Sequence, residues 1–169
     1  MSVDRLSAAV ELVKRVMSQR DEWEIQNRVG DGLSTATFTD SCPDDFVQAA
    51  RVVDGGNFGV LTVFALREAA DFQFYADQVE GGPVRLGRDE WFCCGLISDE
   101  PFFIKKADGS VWTFPDTGVE WWMSSDFRRS AAGFISFMLE FAFGSGYREI
   151  TPLGENDQWL QLLNEAALA

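Results

Sequence analysis

The spacing of hydrophobic residues predicts helices in the first part of the chain. From residue 3 to residue 19, apolar residues recur every three or four positions, as on one face of an amphipathic helix. A second helix is predicted from Pro43, because a proline in the first turn loses no hydrogen bond. Gly55 and Gly56 are expected to end this helix, since glycine readily adopts the left-handed conformation of a helix cap.

In the middle of the chain the apolar residues alternate with a period of two, which is typical of strands. Asp108 and Gly109 form a tight-turn signal between two such segments and predict a hairpin. Residues 67–78 fit either a helix or a strand. The predicted strands cover residues 60–66, 91–97, 102–106, 111–114 and 120–123, with shorter extended pieces at 23–29 and 83–86.

Two more helices are predicted towards the end of the sequence. Residues 127–143 are apolar almost all round, which predicts a deeply buried helix capped by one of the polar residues 124–126. A last helix is expected from about residue 156. Helices grouped at both ends indicate an α+β fold, with an antiparallel sheet of about five to six strands packed by N- and C-terminal helices. We expect one domain over residues 1–169.

The charge of the chain restricts its partners. It carries 27 acidic and 14 basic residues, a formal net charge of −13. This charge disfavours nucleic-acid binding, which needs clustered Lys and Arg. It favours a basic protein partner, whose approach an acidic surface accelerates. The alternative is that the charge only keeps the protein soluble.

Residues suited to catalysis or metal binding are scarce. The chain has no His, which removes the commonest general base and the commonest metal ligand. Cys42, Cys93 and Cys94 form no metal-binding or disulfide pattern, so we expect three reduced thiols, no metal and no cofactor. Residues 1–20 lack the apolar core of a signal peptide, and no segment is long enough to cross a membrane. These features predict a cytoplasmic protein without membrane contact.

Carboxylates at the ends of one predicted strand keep enzymatic chemistry open. Asp89 and Glu90 precede residues 91–97, and Asp99 and Glu100 follow them. Two carboxylates about 5 to 9 Å apart suit a hydrolase. The alternative interpretation, which we favour, is that exposed acids are simply common at strand ends and turns.

Trp121 and Trp122 form the most unusual pair in the sequence. In a strand, one ring would face the core and the other would face solvent or a partner. Tryptophan is also over-represented among the residues that dominate binding energy. The alternative, that both rings belong to the core, has equal weight on the sequence alone.

Three groups of residues resemble a known family. They are Cys-Pro-Asp-Asp-Phe at 42–46 with the glycine turn at 55–56 and Phe-Gly at 58–59, the hairpin at 103–112, and the Ser-led apolar segment at 124–143. In order and spacing they resemble the SUKH superfamily, with the SUKH-4 subfamily nearest, over residues 40–145. The resemblance implies an α+β fold, no cofactor, and a cytoplasmic immunity protein that binds a toxin, often a nuclease or a deaminase.

The sequence therefore predicts a non-catalytic domain that neutralises a basic toxin by binding it. It is expected to be a monomer or weak dimer. A regulatory scaffold for another protein and a carboxylate-dependent hydrolase are the alternatives. The candidate partner-binding residues are Asp77, Glu80, Asp89, Glu90, Asp99, Glu100, Trp121 and Trp122.

Overall fold

The computed structural model describes residues 2–20, 26–34, 42–77, 84 and 87–169. Its helices are α1 (Ser2–Met17), α2 (Asp44–Ala50), α3 (Leu66–Ala69), α4 (Gly87–Glu90), α5 (Phe134–Phe137), α6 (Tyr147–Ile150) and α7 (Gln158–Glu165). Its strands are β1 (Arg28–Val29), β2 (Gly56–Phe58), β3 (Leu61–Val63), β4 (Trp91–Ile97), β5 (Glu100–Lys105), β6 (Val111–Thr113) and β7 (Arg128–Ala131). A 3₁₀ helix (Ala70–Ala76) continues α3, a π-helix (Met138–Ala142) continues α5, and 3₁₀ turns lie at Trp121–Met123 and Gly154–Asn156.

The strands form one open antiparallel sheet in which each strand pairs with its neighbours in the sequence. β4 and β5 are its longest pair, and the register shifts between Cys93 and Gly95. The predicted hairpin at Asp108 and Gly109 is confirmed as the connection from β5 to β6. The structure thus confirms the α+β fold, with seven strands in the described residues where five to six were predicted.

One face of the sheet is covered by helices. The ring of Phe102 on β5 stacks on Phe137 of α5, with centroids 4.8 Å apart. Phe92 on β4 meets Phe46 of α2 at 5.1 Å, and Phe46 in turn contacts Phe134 at 5.0 Å. Burying each such side chain stabilises the fold by roughly 1.5 to 3 kcal/mol, so these contacts fix the helices on this face.

The other face of the sheet carries a second aromatic group, the outer aromatic cluster. Phe103 follows Phe102 on β5 and therefore points to the opposite side. Its ring lies 5.9 Å from Phe127, and Phe127 stacks on Phe114 at 4.5 Å. Phe103 and Phe114 of this face are buried, while Phe127 is partly exposed. The outer aromatic cluster consists of Trp91, Phe103, Trp112, Phe114 and Phe127.

The last predicted helix is confirmed as α7, which is capped by a buried carboxylate. Asp157 is only 2% exposed. Its two oxygens accept hydrogen bonds from the backbone N–H groups of Trp159 and Leu160 and from the hydroxyls of Tyr147 (2.8 Å) and Thr151 (2.5 Å). The Tyr147 hydroxyl also accepts the N–H of Val60, which ties this end of the chain to the sheet.

The prediction for residues 120–143 is wrong in two places. The strand expected at 120–123 is a 3₁₀ turn, Trp121–Met123. The helix expected from residue 127 begins only at Phe134, and residues Arg128–Ala131 form the edge strand β7 instead. The polar residues 124–126 therefore do not cap it.

Tertiary contacts explain this difference. The Phe127 ring packs in the outer aromatic cluster, against Phe103 and Phe114. If residue 127 were part of the helix, its ring would lose these contacts. The hydroxyls of Thr113 and Ser130 are 2.6 Å apart and join β6 to β7. The cap of α5 comes from another helix, because the Asp45 carboxylate accepts the N–H of Ile135 at 2.9 Å. None of these long-range contacts is visible in local sequence preference.

Four further expectations have different outcomes. Residues 67–76, which fitted either structure, are helical, and the strand expected at 60–66 is restricted to Leu61–Val63. Of the extended piece expected at 23–29, Arg28–Val29 is observed as β1, whereas residues 23–25 and most of the piece expected at 83–86 lie outside the described residues. Among the described helices, none combines the length and the hydropathy that a membrane span requires.

Candidate functional site: an aromatic patch with an acidic rim

The turn between β4 and β5 holds Asp99, a predicted site residue, and its neighbour Ser98 in an unfavourable backbone conformation. Ile97 pairs with Glu100, so Ser98 and Asp99 alone make the turn. Both have positive φ angles, 48° and 71°. Such a turn favours glycine or asparagine, and a left-handed residue with a side chain costs about 1 kcal/mol. The turn presents Ser98 and Asp99 to solvent.

The 3₁₀ turn Trp121–Met123 turns one indole inwards and the other outwards. Trp121 is partly buried and lies 5.8 Å from Phe114 and 6.4 Å from Phe103, at the edge of the outer aromatic cluster. Trp122 is 50% exposed and Met123 is 66% exposed. The pair therefore has the arrangement with one ring towards the core and one towards solvent. It occurs in a 3₁₀ turn and not in the strand that was expected.

Two aromatic residues from a distant part of the chain extend this exposed surface. Phe74 and Tyr75 lie in the 3₁₀ helix Ala70–Ala76, and their rings stack at 4.4 Å. Tyr75 lies 6.1 Å from Trp121, while Phe74 is 52% exposed. Neither residue is among the partner-binding residues predicted from the sequence. We call the surface formed by Phe74, Tyr75, Trp121, Trp122 and Met123 the aromatic patch.

Carboxylates lie next to this patch, since Glu100 interacts with the backbone of Trp121 and Asp99 acts on Tyr75. Asp99, Glu100, Asp116 and Glu120 form what we call the acidic rim. Burial raises the pKa of Glu100, the backbone N–H of Trp121 opposes this by donating to its carboxylate, and the charges of Glu120, Asp116 and Asp99 raise it further. The pKa of Tyr75 is also raised, first by burial, then by Cys93 and Asp99. In the described part of the chain no Lys or Arg forms an ion pair with the rim.

Glu100 is the least satisfied polar side chain of the described structure. Its Oε2 atom is buried and has no hydrogen-bond partner there, and it is the only such side-chain atom among the residues that the structure describes. A buried acceptor without a donor costs about 1 to 3 kcal/mol. The acidic rim therefore contains a charge that the folded chain does not itself compensate.

The other predicted acids fall into a different group. Asp77 accepts two hydrogen bonds of 2.6 Å from the guanidinium of Arg88. Glu90 lies 3.1 Å from the ammonium of Lys105, which is also 5.7 Å from the Trp91 ring. Asp89 is exposed in α4, and Glu80 lies outside the described residues. Asp77 and Glu90 are thus neutralised within the chain, in contrast to Asp99 and Glu100.

A pocket of about 610 Å³ adjoins the acidic rim. It lies between the β4–β5 turn, the end of β6, β7 and the segment after α6. Glu100 and Asp116 line it together with Glu149, and Phe114, Phe137, Phe141 and Ile150 supply apolar walls. Arg128 and Arg129 line it as well. No local sequence pattern indicates this pocket, since its walls come from five separate segments.

The cysteines are poorly suited to nucleophilic chemistry. Cys93 and Cys94 are fully buried. Burial raises the pKa of Cys93 to about 12, and it raises the pKa of Cys94 well above the ordinary value. Their thiolates are therefore scarce at neutral pH. Cys93 and Cys94 are free thiols, and the described residues include no cluster of potential metal ligands.

Comparison with known proteins adds no relative to this picture. A scan against protein-family models, a search of curated proteins and a search of solved structures each find no match.

Proposed function

We propose that the chain is a non-catalytic binding domain that holds a basic protein against the aromatic patch and the acidic rim. The observation that carries this proposal is the exposure of Trp122 and Met123 beside four carboxylates that form no ion pair with any described Lys or Arg. Exposed apolar surface bordered by polar groups is typical of protein contact sites. Tryptophan anchors combined with a charged rim supply affinity and rapid, oriented association.

The proposal is supported by the concentration of unfavourable features in one place. Ser98 and Asp99 are two of the three non-glycine residues with positive φ in the described structure. Glu100 holds the buried, unpaired oxygen, and Trp122 exposes an indole. Proteins retain local instability mainly where function requires it. A partner that covers the patch and supplies positive charge would relieve two of these costs together, the unpaired oxygen of Glu100 and the exposed indole of Trp122.

We further propose that the partner is a toxin and that the protein is its cytoplasmic immunity protein. The resemblance to the SUKH superfamily suggests this role. The net charge of −13 supports it, because a toxin that acts on nucleic acid must itself be basic to hold its substrate. The free thiols of Cys93 and Cys94 agree with a reducing compartment.

The same charges favour a monomer over the dimer that the sequence left open. A two-fold contact through the aromatic patch would place one acidic rim against another. Like charges brought together in this way oppose association.

Growth rescue tests the proposed function. The chain is expressed together with the toxin domain encoded by the neighbouring gene, and restored growth is the expected result. Replacing Glu120 with Lys reverses one rim charge and should reduce the protection. Glu11→Lys, an exposed position on α1, is the matched control and should protect like the wild type. Cells that die equally fast with and without the wild-type chain would rule the proposal out.

A hydrolase remains the second candidate, on one specific observation. Glu100 has a raised pKa and lines the 610 Å³ pocket together with Asp116, as a general acid and its partner carboxylate would. Turnover of a substrate by the purified chain, lost in Glu100→Gln, would favour this alternative. Asp89 and Glu90 no longer support it, because Glu90 is paired with Lys105.

A further inference from the structure

The pocket beside the acidic rim suggests how the partner is held. Resting on the proposed function, we infer that this pocket receives a single arginine side chain of the basic partner, whose guanidinium pairs with Glu100. Three kinds of observation lead to this inference: the shape and walls of the pocket, its charges, and the missing donor at Glu100.

The walls of the pocket fit a long side chain with a charged end. Its volume of about 610 Å³ is ample for one arginine, with space for water. Phe114, Phe141 and Ile150 offer apolar surface to the methylene groups. Glu100 and Asp116 both line the pocket where it adjoins the rim. A side chain that packs its stem on the apolar wall can therefore bring its charge to the carboxylates.

The charges that line the pocket favour a cation. Three carboxylates, Glu100, Asp116 and Glu149, stand against two guanidinium groups, Arg128 and Arg129. Arg129 donates from its Nε to the carbonyl of Ala131 at 3.4 Å, and it contributes to the lowered pKa of Asp108, which is due mainly to hydrogen bonds from Ser110. Arg128 and Arg129 both oppose an incoming cation, so three negative and two positive groups leave this lining with a formal charge of −1.

Glu100 lacks the donor that an arginine would provide. One side of its carboxyl accepts the backbone N–H of Trp121, and Oε2 has no partner in the described structure. Because Oε2 is covered in the free protein, the inference requires the Glu100 side chain, which lines the pocket, to rotate to meet the guanidinium. A guanidinium presents several N–H groups in a planar fork that matches a carboxylate. This geometry favours arginine over lysine.

The experiment titrates Nα-acetyl-arginine-N-methylamide into the isotope-labelled protein and follows the backbone amide signals by NMR. Saturable shifts are expected at Glu100 and Trp121, with an affinity in the millimolar range, and the neutral citrulline analogue should cause none. Glu100→Gln should weaken binding about tenfold, because it removes a charged hydrogen-bond acceptor. Arg128→Gln should tighten it about twofold, because it removes a repulsive charge.

Glu11→Gln is the control for net charge, since it changes the charge as Glu100→Gln does but lies on α1, away from the pocket walls. It should alter the affinity less than about twofold. Equal shifts from the arginine and citrulline compounds, or shifts confined to the exposed Trp122, would overturn the inference.

The outcome separates this inference from the proposed function. If Glu100→Gln binds the toxin domain as tightly as the wild type, the arginine pocket is excluded while toxin binding stands. If the wild-type chain fails to protect cells, toxin neutralisation is excluded whatever the arginine compound does.

Discussion

Two carboxylates in this protein, Asp157 and Glu100, differ in how completely their oxygens are hydrogen-bonded. Asp157 is almost completely buried and accepts four hydrogen bonds that hold α7 and the segment after α6 together. Glu100 is half-buried, is repelled by three other acids and keeps one buried oxygen without a partner among the described residues. The first is what a structural carboxylate requires. The second is the arrangement that the proposed binding partner would complete.

The largest effect on stability should come from removing the fully hydrogen-bonded carboxylate of Asp157. Asp157→Ala leaves two hydroxyls and two backbone N–H groups without their acceptor, so we expect a loss of about 3 kcal/mol in the free energy of unfolding. The melting temperature should fall by roughly 10 °C. Tyr147→Phe removes one of the four bonds and also the acceptor of the Val60 N–H, so it should cost about 2 kcal/mol. Denaturation of the Glu100→Ala variant provides the comparison, and a loss there as large as for Asp157→Ala would erase the distinction between the two carboxylates.

Trp121 and Trp122 should differ in the same way in their effect on stability, by a smaller amount. Trp121 is partly buried against Phe103 and Phe114, so Trp121→Ala should destabilise the protein by about 2 kcal/mol. Trp122 is half-exposed, and Trp122→Ala should change stability by less than about 0.5 kcal/mol. Urea denaturation measures both values. Equal losses in the two variants would mean that Trp122 is a core residue and not available to a partner.

The pH dependence of stability gives a smaller effect at Glu100. Its pKa is raised in the folded protein, so the folded state binds this proton more tightly than the unfolded state does. The contribution of Glu100 to stability therefore falls as pH rises from the ordinary glutamate pKa through the raised value. At about pH 7 the Glu100→Gln variant should melt about 1 to 2 °C higher than the wild type, and below about pH 4 this advantage should disappear.

Thermal melts across this pH range, with Glu11→Gln as the control, measure the effect. A Glu100→Gln variant that melts lower than the wild type at neutral pH would show that the glutamate is stabilising and contradict the account.

The turn that precedes Glu100 should give the smallest change. Asp99 has a φ of 71°, which glycine adopts without strain. Asp99→Gly should therefore stabilise the fold by about 0.5 kcal/mol, and Asp99→Asn, which removes the charge but tolerates the same backbone, should be close to neutral. Calorimetric melting resolves the two. Destabilisation by Asp99→Gly would argue that the aspartate side chain supports the turn.

Much of the fold was predictable because most elements have local signals. The periodicity identified α1, the β5–β6 hairpin and α7 at nearly their observed positions. The error between residues 120 and 134 has a physical cause. Phe127 and the short, arginine-led strand β7 have no strand pattern of their own, and only contacts with Phe114 and Thr113 give them their conformation.

The candidate site was only half predictable, for a similar reason. The residue types and their positions in the sequence predicted four of its members: Trp121, Trp122, Asp99 and Glu100. Phe74 joins them through the fold alone, although adjacent aromatics in a helical segment do signal that one of the pair must face outwards. The unpaired oxygen of Glu100 and the pocket beside it depend on the packing of distant segments, which no local pattern records.

The central claim is that the aromatic patch grips a basic partner, and one affinity comparison tests it most directly. The toxin domain encoded by the neighbouring gene is titrated into the wild type, Trp122→Ala and Leu153→Ala, the last an exposed apolar residue outside the patch, 58% accessible to solvent. Trp122→Ala should weaken binding about 30-fold or more, as expected for an anchor residue, while Leu153→Ala stays within about twofold. A Trp122→Ala variant that binds as tightly as the wild type would contradict the account.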